Sequence, residues 1–169
     1  KEKGIDLYLN AAKKIYKKYK NVFFHICGYC DDKKYIEILE KAEQGGYIKY
    51  HGEQKEIHPF FEMAHCVVHP SYYPEGMSNV LLEAAAHGRP IITTDRSGCR
   101  ETIENDKTGY LIPINNEKAL IEAIEKFINL TWEEKQDMGL NGRKKIEKEF
   151  DRNIVVESYY KEVEKIIGN

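Results

Sequence analysis

Five short runs rich in apolar and β-branched residues punctuate this chain, and stretches of three- and four-residue periodicity lie between them. The runs are 22–27, 47–51, 66–69, 90–94 and 110–112, and glycine or proline closes most of them. Apolar strands this short, separated by helices, predict a parallel sheet buried on both faces. Ile5, Tyr8, Leu9, Ala12, Ile15, Tyr16 and Tyr19 fall on one face of a predicted helix with lysines between them. Further helices are predicted over 33–43, 56–64, 78–87, 116–129, 132–149 and 152–166, with a short one around 100–103. The fold class is α/β, a Rossmann-like doubly wound parallel sheet. Such sheets bind ligands beyond the carboxyl ends of their strands. That directs attention to 28–31, 52–56, 71–78 and 95–100.

A chain of 169 residues is one ordinary domain, with a 41% hydrophobic fraction to fill its core. A formal charge of -2 gives no basic face for nucleic acid. No apolar run approaches the roughly 18 residues of a membrane span. The first residues do not resemble a signal peptide, and a start at Lys1 reads as an excised domain. Four cysteines, Cys27, Cys30, Cys66 and Cys99, are too few for a disulfide scaffold and point to a reducing cytosol. Cys27-Gly-Tyr-Cys30 has thioredoxin-like spacing. Cys27 belongs to a strand, however, and Asp31-Asp32 supply the helix cap, so two incidental thiols is the better reading. A zinc site on His25, Cys27 and Cys30 lacks a second ligand pair. Lys13 to Lys20 is a solvated helix face more readily than a membrane-binding one.

The informative stretch runs from Pro70 to Pro90. It holds Glu75 and Glu83, eight apart. With 28 acidic residues, roughly five such pairs arise by chance, so the spacing is weak by itself. The setting is stronger, because Glu83 is the only formal charge between Glu75 and Arg89. A lone glutamate in Val80-Leu-Leu-Glu-Ala-Ala-Ala86 predicts a half-buried carboxylate in need of donors. Ser78 or Asn79 is a good N-cap, which leaves the next amides free. A helix N-terminus behind a small-residue loop suits a phosphate. Glu83, about one turn further along, could accept hydrogen bonds from ribose hydroxyls. Ordinary capping at Ser78, with Glu83 paired to a core arginine, fits these residues equally well.

The segment resembles the Glu-x7-Glu motif of retaining glycosyltransferases of family 4, which have the GT-B architecture. Glu2-Lys-Gly-Ile5, Phe24-His-Ile-Cys-Gly28, Tyr50-His-Gly52, Val67-Val-His-Pro-Ser71, Pro90-Ile-Ile-Thr-Thr94, Gly98-Cys-Arg-Glu101 and Thr108-Gly-Tyr-Leu-Ile-Pro113 follow in that family's order. The resemblance covers Glu2 to about Ile167. It is strongest to bacterial capsule, O-antigen and lipid-linked-oligosaccharide enzymes. It implies that residues 1–169 form the nucleotide-sugar-binding C-terminal domain, without the acceptor-binding half. By this resemblance Lys3 grips the donor diphosphate and stabilises the departing nucleotide. Glu75 binds hydroxyls of the transferred sugar. Gly76, Met77, Ser78, Asn79 and Val80 offer backbone amides to the sugar and distal phosphate. Glu83 binds the ribose, and the chain near Gly28, Gln54 and Glu56 receives the base. No metal or other cofactor is implied. The expected partners are a nucleotide-diphosphate sugar, UDP by analogy, and a glycan or lipid-linked acceptor. The expected setting is the cytoplasm, at the inner face of the membrane.

Two departures stand out. The family's first, central strand, which ends in a diphosphate-binding arginine, has no counterpart in residues 1–169. The sequence therefore predicts five strands, with the gap closed by pairing of 22–27 with 66–69 or filled by a strand from another chain. Gly28-Tyr-Cys30 replaces a Gly-x-Gly, so side chains narrow the base pocket. Two other function classes were weighed. A sugar-nucleotide epimerase of the same architecture needs acids and histidines whose pattern is absent. A flavodoxin- or receiver-like module is disfavoured because the strand at 66–69 ends in His69-Pro70 rather than an aspartate.

Overall fold

The computed structural model describes residues 2–74 and 76–168. It contains α1 (Ile5–Lys18), β1 (Phe24–Ile26), α2 (Lys33–Gln44), β2 (Ile48–Tyr50), α3 (His58–Met63), β3 (Val67–His69), α4 (Asn79–Ala86) and β4 (Ile91–Thr94). A 3-10 turn (Arg100–Thr102) leads to β5 (Gly109–Ile112), α5 (Glu117–Ile128), α6 (Trp132–Glu149) and α7 (Arg152–Ile167). Polar caps fix several helix starts. Asp32 accepts from the Lys34 amide, Asn116 from Ala119, and Asp151 from Asn153. Thr131 and Glu134 close a reciprocal capping box on α6.

All strands pair in parallel, as the alternation of elements requires. β4 is the buried centre of a β3-β4-β5 sheet, and none of its four residues reaches solvent. Ile92 points to the face covered by α1 and α5, beside Ile15, Leu120 and Phe127. Ile91 points to the face covered by α4 and α6, beside Leu81, Ala84 and Ile146. Two apolar layers on one sheet make the doubly wound arrangement. Lys14 and Lys18 of the lysine-rich α1 face pair with Glu117 and Glu125 of α5 at 2.6 and 2.9 Å, so this face serves helix packing.

One expectation fails. Among the described residues the sheet is split, with β1 paired to β2 and nothing joining β1 to β3. The Ile26 carbonyl accepts from the His51 amide and so faces β2. The neighbouring His25 carbonyl points the other way, into the gap. There it accepts from the Tyr8 hydroxyl at 3.0 Å, while the Tyr8 ring meets Phe24 edge-on at 5.7 Å. Burial and the nearby Cys66 thiol push the Tyr8 phenol far above its ordinary range. A phenol from α1 thus occupies the edge of β1 that β3 was expected to meet.

α1 begins at a point of close approach. Gly4 has φ +80, and a Cβ there would lie 2.1 Å from the Pro70 carbonyl oxygen. Only glycine fits both the left-handed backbone and this contact. Gly4→Ala is expected to cost about 3 kcal/mol, roughly 6–12 °C in thermal midpoint for a domain of this size. Thermal unfolding followed by circular dichroism checks this, and a loss of under one degree would contradict the contact.

Candidate functional site

The Gly4 contact brings the start of the chain onto the carboxyl end of β3. The Glu2 carbonyl accepts from the Tyr72 amide at 3.0 Å and from the Ser71 hydroxyl at 3.5 Å. β4 holds the same loop from beneath. Thr93 donates to the His69 carbonyl at 2.8 Å, and Thr94 donates to the Ser71 carbonyl. Lys3 is thereby placed with its ammonium 5.4 Å from the Tyr73 ring centroid. His69 lies close enough to feel this charge. Burial, reinforced by Lys3, lowers the His69 imidazole to about 4, so it is neutral at physiological pH.

α4 starts within the same region. The Ser78 amide donates to the Gly98 carbonyl at 2.9 Å, and the Gly98 amide donates to the Glu101 carboxylate at 2.8 Å. Glu101 therefore fixes where α4 begins. Ser78 is the N-cap by position, but its hydroxyl makes no capping bond. The residue is 1% exposed, and its Oγ has no partner among the described residues. Leu81 and Leu82 donate to the Ser78 carbonyl, whereas the Asn79 and Val80 amides have no acceptor among the described residues. No acidic residue sits in the first turn to answer the helix dipole. Gly76 and Met77 are exposed beside it. The Asn79 and Val80 amides and the buried Ser78 hydroxyl are donors that an anion could satisfy.

Glu83 departs from its expected burial. It is exposed, and no ion pair involves it among the described residues. Leu81, Ala84 and Ala85 form the buried stripe of α4, and position 83 falls on the other side of that stripe. Its carboxylate is free to meet a ligand one turn beyond the open amides. One turn further, His87 donates from Nδ1 to the Glu83 carbonyl at 2.8 Å. Its Nε2 then accepts from His58 Nδ1 at 2.9 Å in the neutral pair, which ties α3 to α4.

The residues expected to receive a base gather on the β1-β2 sheet. The Gly28 amide donates to the Gly52 carbonyl, and the Tyr50 hydroxyl donates to the Gly28 carbonyl, both at 2.8 Å. Gln54 folds back to donate to the His51 carbonyl, and Glu56 is exposed. Tyr29 stands out at 72% exposure on the rim of this loop pair. His25 and His51 stack and hydrogen-bond at 2.9 Å beneath it. Burial, then His51, lowers His25 from its ordinary range. Glu75 lies outside the described residues. All four cysteines are free thiols, and burial raises that of Cys27. No group of three or more potential ligands for a metal occurs among the described residues. The sequence did not reveal that His69 is largely buried within reach of the Lys3 charge. The polar side chain at the end of an apolar strand was the available signal.

The family model for glycosyl transferases group 1 matches residues 1–145. The chain belongs to the group 1 glycosyl transferases. Among curated relatives, the capsular polysaccharide biosynthesis glycosyltransferase CapM of Staphylococcus aureus is 31% identical over 162 residues, which cover 93% of this chain and 41% of that protein. The N,N'-diacetylbacillosaminyl-diphospho-undecaprenol alpha-1,3-N-acetylgalactosaminyltransferase of Campylobacter jejuni is 30% identical over 86% of this chain and 38% of its own. Among solved structures, an S. aureus TarM mutant in complex with Fondaparinux, alpha-GlcNAc-glycerol and UDP superposes with a TM-score of 0.86 at 26% identity. It covers 95% of this chain and 33% of its own. The pneumococcal O-GlcNAc transferase GtfA, in complex with UDP and GlcNAc, gives 0.80 at 26%, over 99% of this chain and 34% of that one. This group 1 chain thus spans well under half of the proteins it matches. Among its described residues no helix is long and apolar enough to cross a membrane.

The lowered His69 carries a pH dependence. Its folded form resists protonation, whereas the unfolded side chain takes up a proton near its ordinary 6.5. The stability it contributes is whole above about pH 6.5 and drains away as pH falls toward 4, by up to about 3 kcal/mol. His25 acts in the same direction. Urea unfolding of the parent and of His69→Gln at pH 7.5, 6 and 5 is expected to give a shallower acid loss for the variant. Parallel curves would show that His69 does not carry it.

Proposed function

We infer that the chain is the donor-binding half of a retaining glycosyltransferase, moving a sugar from a nucleoside diphosphate onto a glycan or lipid-linked acceptor in surface polysaccharide synthesis. The observation that carries this reading is the first turn of α4, with the uncommitted Ser78 hydroxyl buried behind it and exposed Glu83 one turn on, while Lys3 is held over Tyr73 in the loop after β3. A diphosphate accepts from the amides of Gly76 to Val80 and from Lys3. The ribose donates to Glu83, and the base enters the loop pair at Gly28, Gln54 and Glu56, with UDP as the expected nucleotide. UDP in the TarM and GtfA complexes favours that choice of base. The capsule and diphospho-undecaprenol relatives favour surface glycans as products and a setting at the inner membrane face.

The chemistry follows from charge. Breaking the bond between the sugar and the diphosphate leaves an oxocarbenium-like sugar and builds negative charge on the leaving phosphate. Lys3 and the α4 amides are pre-oriented for that charge, so a metal is not required for it. Glu75 is assigned to hydroxyls of the transferred sugar. Lys3 and Glu75 are thus the catalytic residues of this reading. The acceptor comes from a separate half, so residues 1–169 alone bind donor and transfer nothing.

Isothermal calorimetry with UDP, ADP and GDP tests the reading. UDP is expected to bind, and Glu83→Ala to weaken it about 30-fold, the loss of about 2 kcal/mol of charge-assisted hydrogen bonding. Absence of binding to all three nucleotides, with the fold intact, would sink the assignment.

A further inference from the structure

The opposite end of the sheet carries a second, unassigned cavity. His65 lies just before β3, and Gly88 to Pro90 lie just before β4, so this is the amino end of the strands. With α6 these segments line a half-open cleft of about 410 Å3, within the range of small-molecule sites. No carboxylate lines it, although the chain carries 28 acidic residues and a net charge of -2. Arg89, Lys135 and Arg143 do.

Each cation brings a different capacity. Arg89 spends one donor on the Ala64 carbonyl at 3.1 Å, and its Nε is buried with no partner among the described residues. That bond holds the guanidinium in place and leaves most of its fork uncommitted, a geometry suited to a phosphate. Arg143 shares its Nε with Glu147 at 2.8 Å on the exposed rim. Lys135 is already committed to the Ile128 carbonyl at 2.9 Å and contributes only its field. The remaining wall combines aromatic and aliphatic side chains with Gln136. Trp132 opens α6 directly after the capping box and stays 57% exposed, with the His65 ring edge-on at 6.2 Å. Leu140, 53% exposed, lies two turns along the same helix, with Gln136 between them. Exposed apolar side chains around a cationic recess mark a binding surface rather than a core defect.

We propose that this cavity binds a small phosphorylated sugar, with its phosphate on Arg89 and Arg143 and the C–H face of its ring against Trp132. Gln136 meets its hydroxyls. The site is separate from the donor site and does not rest on the glycosyltransferase reading, because the two lie at opposite ends of the strands. A phosphate could also arrive as a lipid headgroup. Arg89, the cation with most donors to spare, is half-buried, and this favours the free sugar phosphate, since a membrane surface prefers side chains that project.

The chain has a single tryptophan, so its fluorescence reports on this cavity alone. Titration with glucose 1-phosphate is expected to change Trp132 emission saturably, and glucose at equal concentration to leave it unchanged. Arg89→Gln is expected to weaken the response at least about tenfold. Should that variant unfold by circular dichroism, Arg143→Gln, on the rim, is expected to weaken it about threefold. UDP is expected to bind by calorimetry without altering Trp132 emission, so failure at one site is readable independently of the other. An equal response to glucose, no response to the sugar phosphate, or a response only to phosphatidylglycerol vesicles would each overturn the proposal.

Discussion

The contact between Gly4 and the Pro70 carbonyl decides where the chemistry of this domain can assemble. It closes a loop of more than sixty residues with two backbones in direct apposition. A methyl group there would push the N-terminal segment away from β3. That segment carries Lys3, and the hydrogen bonds from Tyr72 and Ser71 to Glu2 hold it at the strand end. Lys3 is therefore held beside Tyr73 in the loop after β3 through close backbone packing. Long side chains pay rotational entropy to hold one position. An anchored backbone reduces the part of that cost Lys3 must meet on binding an anion.

β4 supplies the other half of the anchoring. Its isoleucines feed the two opposed cores, while Thr93 and Thr94, both fully buried, turn their hydroxyls to the loop after β3. Buried hydroxyls are costly without acceptors, and the His69 and Ser71 carbonyls would be equally costly without donors. Mutual satisfaction fixes the loop's height above the sheet. Glu101 does the same for Gly98, and through it for Ser78. α4 accordingly begins with its amides aimed outward and its hydrophobic stripe already seated. Binding can then proceed with little reorganisation of the protein.

Elements driven by periodicity were legible in the sequence. The α1 stripe, the capped start of α2 at Asp32, and the strand ends at glycine and proline all follow from local rules. α7 forms where its periodicity predicts, yet Ile154, Val155, Tyr159, Val163 and Ile166 lie outside any core. The failures are instructive. Low charge around Glu83 suggested burial, but on a helix the angular position decides, and 83 lies off the stripe of 81, 84 and 85. Direct pairing of β1 with β3, one of the two outcomes expected for the gap, does not occur, because apolar patterning specifies faces, not edges. The edge carbonyl of His25 found its donor in Tyr8, a residue that patterning assigns to the face of α1. Ser78 was legible as a cap by type and position, yet its hydroxyl remains uncommitted.

The two ends of the parallel strands come to differ in chemistry for a topological reason. In parallel sheets every strand presents its carboxyl end to the same side, so helix N-termini and their open amides collect there. The amino ends collect helix C-termini, whose carbonyls attract cations instead. Arg89 on the Ala64 carbonyl and Lys135 on the Ile128 carbonyl are two instances of that attraction. Cations recruited to cap carbonyls retain donors that the capping does not use. The same constraint that gathers helix amides at one end of the sheet thus furnishes the other end with cationic side chains.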